Sequence, residues 1–68
     1  MKAAEVLKRM LKLGCTKLRQ KGSHVRMVCG CGKHFSTVPV HAGEDIGAVL
    51  RRAIERDMEE CLGKGWLR

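Results

Sequence analysis

Apolar residues recur every three or four positions over residues 2–13: Ala3, Val6, Leu7, Met10, Leu11 and Leu13, with Lys2, Lys8, Arg9 and Lys12 between them. This spacing predicts an amphipathic helix of about three turns. Gly14 follows where a helix C-cap glycine belongs. The period then changes from helical to alternating. In residues 15–21, Lys17, Arg19 and Lys21 point one way, and Thr16, Leu18 and Gln20 the other. That is a short strand with one basic face. Gly22-Ser23 supplies a turn. Residues 24–29 alternate again, with Val25, Met27 and Cys29 on one face and His24, Arg26 and Val28 on the other. Val25 and Met27 need burial, so His24 and Arg26 are expected to face outward beside the basic residues of the preceding strand. A one-residue slip in register would reverse this.

Cys29-Gly30-Cys31-Gly32-Lys33 reads as a glycine-rich hairpin loop. Residues 34–40 form a third strand ending near Pro39. Proline cannot donate to a ladder, so this end is an edge or a terminus. Residues 41–45 connect onward, with Asp45 as the expected N-cap of a second helix. From Ile46 the apolar positions Val49, Leu50, Ala53, Ile54, Met58, Cys61 and Leu62 again keep helical spacing, and Gly63-Lys64-Gly65 ends the run. The tail Trp66-Leu67-Arg68 is open between touching a partner, folding back on the core and fraying.

The predicted order is helix, three-stranded antiparallel meander, helix: an α+β class in which both helices cover one face and leave the other bare. The chain of 68 residues makes a single domain, 1–68, with a small core. One Phe, one Trp and no Tyr make that core aliphatic and weaken any scheme in which bases stack on an aromatic platform.

Charge changes the picture more. The formal net charge is +7, and it is one-sided. Residues 1–33 hold Lys2, Lys8, Arg9, Lys12, Lys17, Arg19, Lys21, Arg26 and Lys33 against Glu5 alone, whereas residues 34–68 are close to neutral. The bare face is therefore expected to bind a polyanion. No window of 18 apolar residues exists, and the N-terminal segment is a charged helix in character rather than a signal peptide. A cytoplasmic location, no membrane partner and four reduced cysteine thiols are the corresponding expectations.

The order α-β-β-β-α is similar to the double-stranded-RNA-binding-domain-like fold. Within it, Gly22-Ser23-His24 before a hairpin, followed by Thr37-Val38-Pro39-Val40-His41-Ala42-Gly43, resembles the HicA family of bacterial mRNA interferase toxins. Gly47-Ala48-Val49-Leu50-Arg51-Arg52-Ala53-Ile54 is similar to that family's closing helix, with one residue extra. The resemblance covers roughly residues 3–57. It departs in Cys29-Gly30-Cys31-Gly32, where members commonly have a proline-aspartate-glycine type of turn, and in the tail from Gly63. The resemblance implies that His24 is the catalytic histidine, that the target is mRNA, that no metal or cofactor takes part, and that a HicB-like antitoxin covers the active face.

The residues themselves support a compatible chemistry. An imidazole titrating near neutrality can take the proton of a ribose 2′-OH or protonate a leaving 5′ oxygen. Lys21 or Arg26 would stabilise charge on the phosphorane. Lys17, Arg19, Lys21, Ser23 and Arg26 are the expected RNA contacts, made to the backbone without base readout, and Lys8, Arg9 and Lys12 would extend the track. His34 and His41 read as structural, His41 through a hydrogen bond in the strand-to-helix connection. Cys29-x-Cys31-x-x-His34, completed by Cys15 or Cys61, invites a zinc reading. A one-residue gap is awkward for chelation by a hairpin, however, and Cys15 and Cys61 fit as small core residues. Two rivals remain: a non-catalytic RNA-binding module of the same fold, and a small zinc-stabilised interaction domain.

Overall fold

The computed structural model describes residues 1–41 and 43–68. Ala42, inside the Thr37–Gly43 motif, lies outside the described residues. The elements are α1 (Ala3–Lys12), β1 (Thr16–Lys21), β2 (His24–Val28), β3 (Phe35–Pro39) and α2 (Ala48–Leu62). The strands form one antiparallel sheet in the order β1-β2-β3. This is the expected α+β arrangement of the double-stranded-RNA-binding-domain-like fold.

In the first turn of α1, the Glu5 carboxylate accepts a hydrogen bond from the Lys2 amide at 3.1 Å, satisfying a donor the helix itself leaves free. It ends in a Schellman motif. The Cys15 amide reaches the Met10 carbonyl at 2.9 Å and the Gly14 amide reaches Leu11 at 3.2 Å. Gly14 sits at φ +98, where a side chain would be strained. The motif turns the chain sharply into β1 and buries Cys15 against the core.

The core lies between the helices and one face of β2 and β3. Val25, Met27 and Val38 meet Val6 and Met10 of α1 and Ile54 and Met58 of α2, all fully or almost fully buried. Three of these are methionines, flexible enough to fill the irregular space where two helices cross a short sheet. Ser36 is buried among them, and its hydroxyl donates to the Asp57 carboxylate at 2.8 Å, which removes the cost of an unpaired polar group. The alternation in residues 24–29 therefore had the expected register: Val25, Met27 and Cys29 face in, and His24 faces out.

Several details differ from expectation. All six residues of β1 are exposed, because the helices pack against β3 and the inner residues of β2, leaving β1 as an overhanging edge. The first turn of α2 projects likewise, with Val49 88% exposed. Asp45 does not cap α2. Its carboxylate pairs with the Lys2 ammonium at 3.2 Å, the backbones of the two residues form a bridge, and Gly47 is the N-cap. The open question of the tail is resolved: it folds back. Trp66 and Leu67 are buried, the Trp66 indole donates to the Glu55 carbonyl at 2.7 Å, and Arg9 donates to the Arg68 carbonyl at 2.8 Å. The His41 tie runs through its main chain, where the Glu44 amide donates to the His41 carbonyl at 3.1 Å.

Candidate nucleic-acid interface

Two-residue turns need a glycine where φ is positive, and Gly22 takes φ +58 between the paired residues Lys21 and His24. The turn places His24 as the first residue of the central strand, flanked by Lys21 of β1 and Pro39 of β3. Directly opposed residues of an antiparallel pair point to the same side, with Cβ atoms about 5 Å apart. Proline offers no amide hydrogen, and the next residue takes over, with the Val40 amide donating to the Ser23 carbonyl at 2.6 Å. His24 is thus fixed at the backbone on both sides while its imidazole remains exposed.

The same pairing rule sets the rest of the surface. Arg19 lies opposite Arg26, and Thr37 lies on Arg26's other side. The Arg26 guanidinium donates to the Thr37 hydroxyl at 2.9 Å and lies 5.4 Å from the centre of the Phe35 ring. Phe35 pairs with Val28, so Arg26 leans along the strand away from His24. Lys21 is left as the cation directly beside the imidazole.

Lys17 does not join this face. Leu18 has no partner in the register, and this bulge sets Lys17 opposite Met27, a core residue of the helix-facing side. The Lys17 ammonium accordingly lies 3.4 Å from the Gln20 side-chain oxygen, and Gln20 pairs with the buried Val25. Of the expected RNA contacts, Arg19, Lys21 and Arg26 share the bare face with His24, Ser23 lies in the turn before it, and Lys17 is turned away. Phe35 and Thr37 are not among the contact residues expected from the sequence, although Thr37 opens the Thr37–Gly43 motif. The parity of β3 carries them: Phe35, Thr37 and Pro39 alternate with the buried Ser36 and Val38.

A second cluster of polar and sulfur-bearing side chains occupies the opposite end of β2. The expectation of four free thiols fails there, since Cys29 and Cys61 form a disulfide. The hairpin carries Cys29 beneath the last turn of α2, with the two Cα atoms 6.7 Å apart, within bridging range. Cys15 and Cys31 remain free, the first buried and the second exposed. His34 shares a hydrogen bond with the Cys31 thiol at 3.0 Å through Nδ1 and meets the Glu60 carboxylate at 3.2 Å through Nε2. These contacts pull the Cys31 thiol below its ordinary range, chiefly through His34, and raise the His34 imidazole, chiefly through Cys31 and then Glu60. Burial pushes the Cys15 thiol up.

Fold and surface together define a small basic α+β protein that presents a histidine on an uncovered sheet. The sequence matches the family described as "HicA toxin of bacterial toxin-antitoxin" over residues 3–60 of 68, and the chain belongs to the HicA toxin family. It is therefore a toxin of a bacterial toxin–antitoxin system, and the family implies an antitoxin as its partner. No curated protein and no solved structure matches the chain. Among the described residues, no helix is long and apolar enough to cross a membrane.

Proposed function

We propose that this toxin is an mRNA interferase, an endoribonuclease whose chemistry rests on His24 and needs no metal. The observation that carries this reading is the placement of an exposed histidine between Lys21 and Pro39 on a bare face that also carries Arg19 and Arg26. A single RNA strand lies along this face with its phosphates toward Arg19, Lys21 and Arg26 and the Ser23 turn. His24 takes the proton of a ribose 2′-OH, or delivers one to the leaving oxygen. The O2′–P bond forms, the P–O5′ bond breaks, and the products are a 2′,3′-cyclic phosphate and a 5′-hydroxyl end. Lys21 stabilises the charge that accumulates on the phosphorane. Arg26, held by Thr37 and lying over Phe35, is pre-organised to grip a neighbouring phosphate, and the exposed Phe35 ring offers one base a surface to stack on.

Neutralisation follows from the same surface. A HicB-like antitoxin presenting acidic groups to Arg19, Lys21 and Arg26 would bury His24 and exclude RNA. The test is cleavage of a messenger RNA by the purified chain in EDTA, beside His24→Ala, with folding checked by circular dichroism and RNA binding measured for both. Cleavage by the parent alone supports the reading. Equal cleavage by both moves the catalyst elsewhere. Two inert proteins that bind RNA equally are a non-catalytic binding module of the same fold.

A further inference from the structure

The disulfide accounts for two of the sulfur atoms at the far end of β2 and leaves the rest of the cluster unexplained. The Sγ atoms of Cys29, Cys31 and Cys61 all lie within 4.8 Å of one another. His34 directs Nδ1 to Cys31 at 3.0 Å while Nε2 is held by Glu60 at 3.2 Å. The Lys33 amide donates to the Cys31 sulfur at 3.4 Å. The loop is closed on itself by Cys29 amide to His34 carbonyl and Gly32 amide to Cys29 carbonyl, each 2.8 Å. Three sulfurs, an imidazole nitrogen against one of them and a carboxylate on that ring's other nitrogen are the parts of a metal centre with its outer support.

We propose that Cys29, Cys31, Cys61 and His34, in the reduced protein, bind one zinc ion. Zinc takes sulfur at about 2.3 Å in a tetrahedron, which sets sulfur–sulfur separations of about 3.8 Å. The three sulfurs already lie within reach of that spacing once the Cys29–Cys61 bond opens. Three thiolates and an imidazole are a soft donor set that disfavours magnesium and calcium. The objection from sequence spacing, a one-residue gap between Cys29 and Cys31, is met by the fold. Cys61 comes from α2 and His34 from the base of β3, so the hairpin need not encircle the ion alone. Glu60 fixes the imidazole so that Nδ1 is the free ligand. The site lies at the end of the sheet opposite His24 and ties the β2–β3 hairpin to α2, so its role is structural and does not depend on the toxin's chemistry.

Disulfide and metal exclude each other, because they use the same two sulfurs. A phosphine reductant breaks the S–S bond, water supplies the two thiol protons, and its oxygen leaves as phosphine oxide. Zinc then displaces three thiol protons into the buffer. The experiment titrates the phosphine-reduced full chain with cobalt(II), whose tetrahedral thiolate complexes absorb strongly in the visible. Zinc is then used to displace the cobalt, with folding followed by circular dichroism. The expected result is one equivalent bound with tetrahedral bands that zinc abolishes. Cys31→Ser, which leaves the Cys29–Cys61 pair intact, should weaken binding at least tenfold, and Glu60→Gln should weaken it 10–100-fold. If the reduced chain is unfolded and zinc refolds it, the proposal is supported. Absence of tetrahedral bands, failure of zinc to refold an unfolded reduced chain, or binding unchanged in Cys31→Ser would each overturn it.

Discussion

The two ends of β2 are built in opposite ways. At the turn, His24 is exposed and only its backbone is restrained, by Lys21 and Pro39 on either side. At the hairpin, Cys29 is buried and covalently tied to Cys61, with Cys31, His34 and Glu60 linked beside it. The face proposed to receive RNA thus leaves its histidine exposed. A domain of 68 residues draws only a few kcal/mol from so small an apolar core, and a covalent staple at the far end adds to it. On the proposed reading, function and stability are separated along one strand, and altering one end is expected to leave the other undisturbed.

The largest effect expected from breaking this separation is at the open end. His24→Ala should lower RNA cleavage by about 10²–10⁴-fold, the usual worth of a general acid or base. The melting temperature and the RNA affinity should stay near those of the parent, because the imidazole covers no core residue. Single-turnover cleavage beside a thermal melt measures both. A large drop in melting temperature would mean that the two ends are coupled after all.

The complementary change is at the stapled end. The disulfide joins residues 32 apart in sequence, and loop closure of that length is worth about 4 kcal/mol of stability. Cys61→Ser in the oxidised protein should cost roughly that much in denaturant unfolding, with cleavage per folded molecule unchanged. A variant that keeps its stability but loses cleavage would reverse the assignment of roles.

The open end was legible in the sequence and the stapled end was not. Alternation in residues 24–29, anchored by the need to bury Val25 and Met27, settles the orientation of His24 from local information alone. The helices, the Gly14 stop and the turn at Gly22 are local too. The pairing of Cys29 with Cys61 depends instead on where α2 lands, a tertiary fact that no spacing within the hairpin contains. The same holds for Trp66 and Leu67, which are buried only because α1 and α2 leave a place for them. Asp45 has good capping chemistry, but Lys2, distant in sequence, competes for its carboxylate. Lys17 departs from its expected face for a more local reason: strict alternation does not anticipate a bulge, and one extra residue at Leu18 turns every earlier position of β1 over.

That last point yields the finest comparison, between two lysines on one strand. Lys21 and Lys17 are both exposed, carry the same charge and would be grouped by any count of basic residues. By register Lys21 stands beside His24, and Lys17 stands opposite Met27 on the helix-facing side. If three cations, Arg19, Lys21 and Arg26, neutralise phosphates of a single strand, the logarithm of affinity should fall with the logarithm of salt at a slope of about −2. Lys21→Ala should reduce that slope by about 0.7, one phosphate's share for single-stranded nucleic acid, and should slow cleavage as well. Lys17→Ala should leave both the slope and the cleavage rate near the parent's. Binding isotherms at four or five salt concentrations decide between them. Equal losses from the two lysines would mean that RNA wraps the β1 edge and touches both sides of the sheet, and the division of this strand by its bulge would then carry no functional weight.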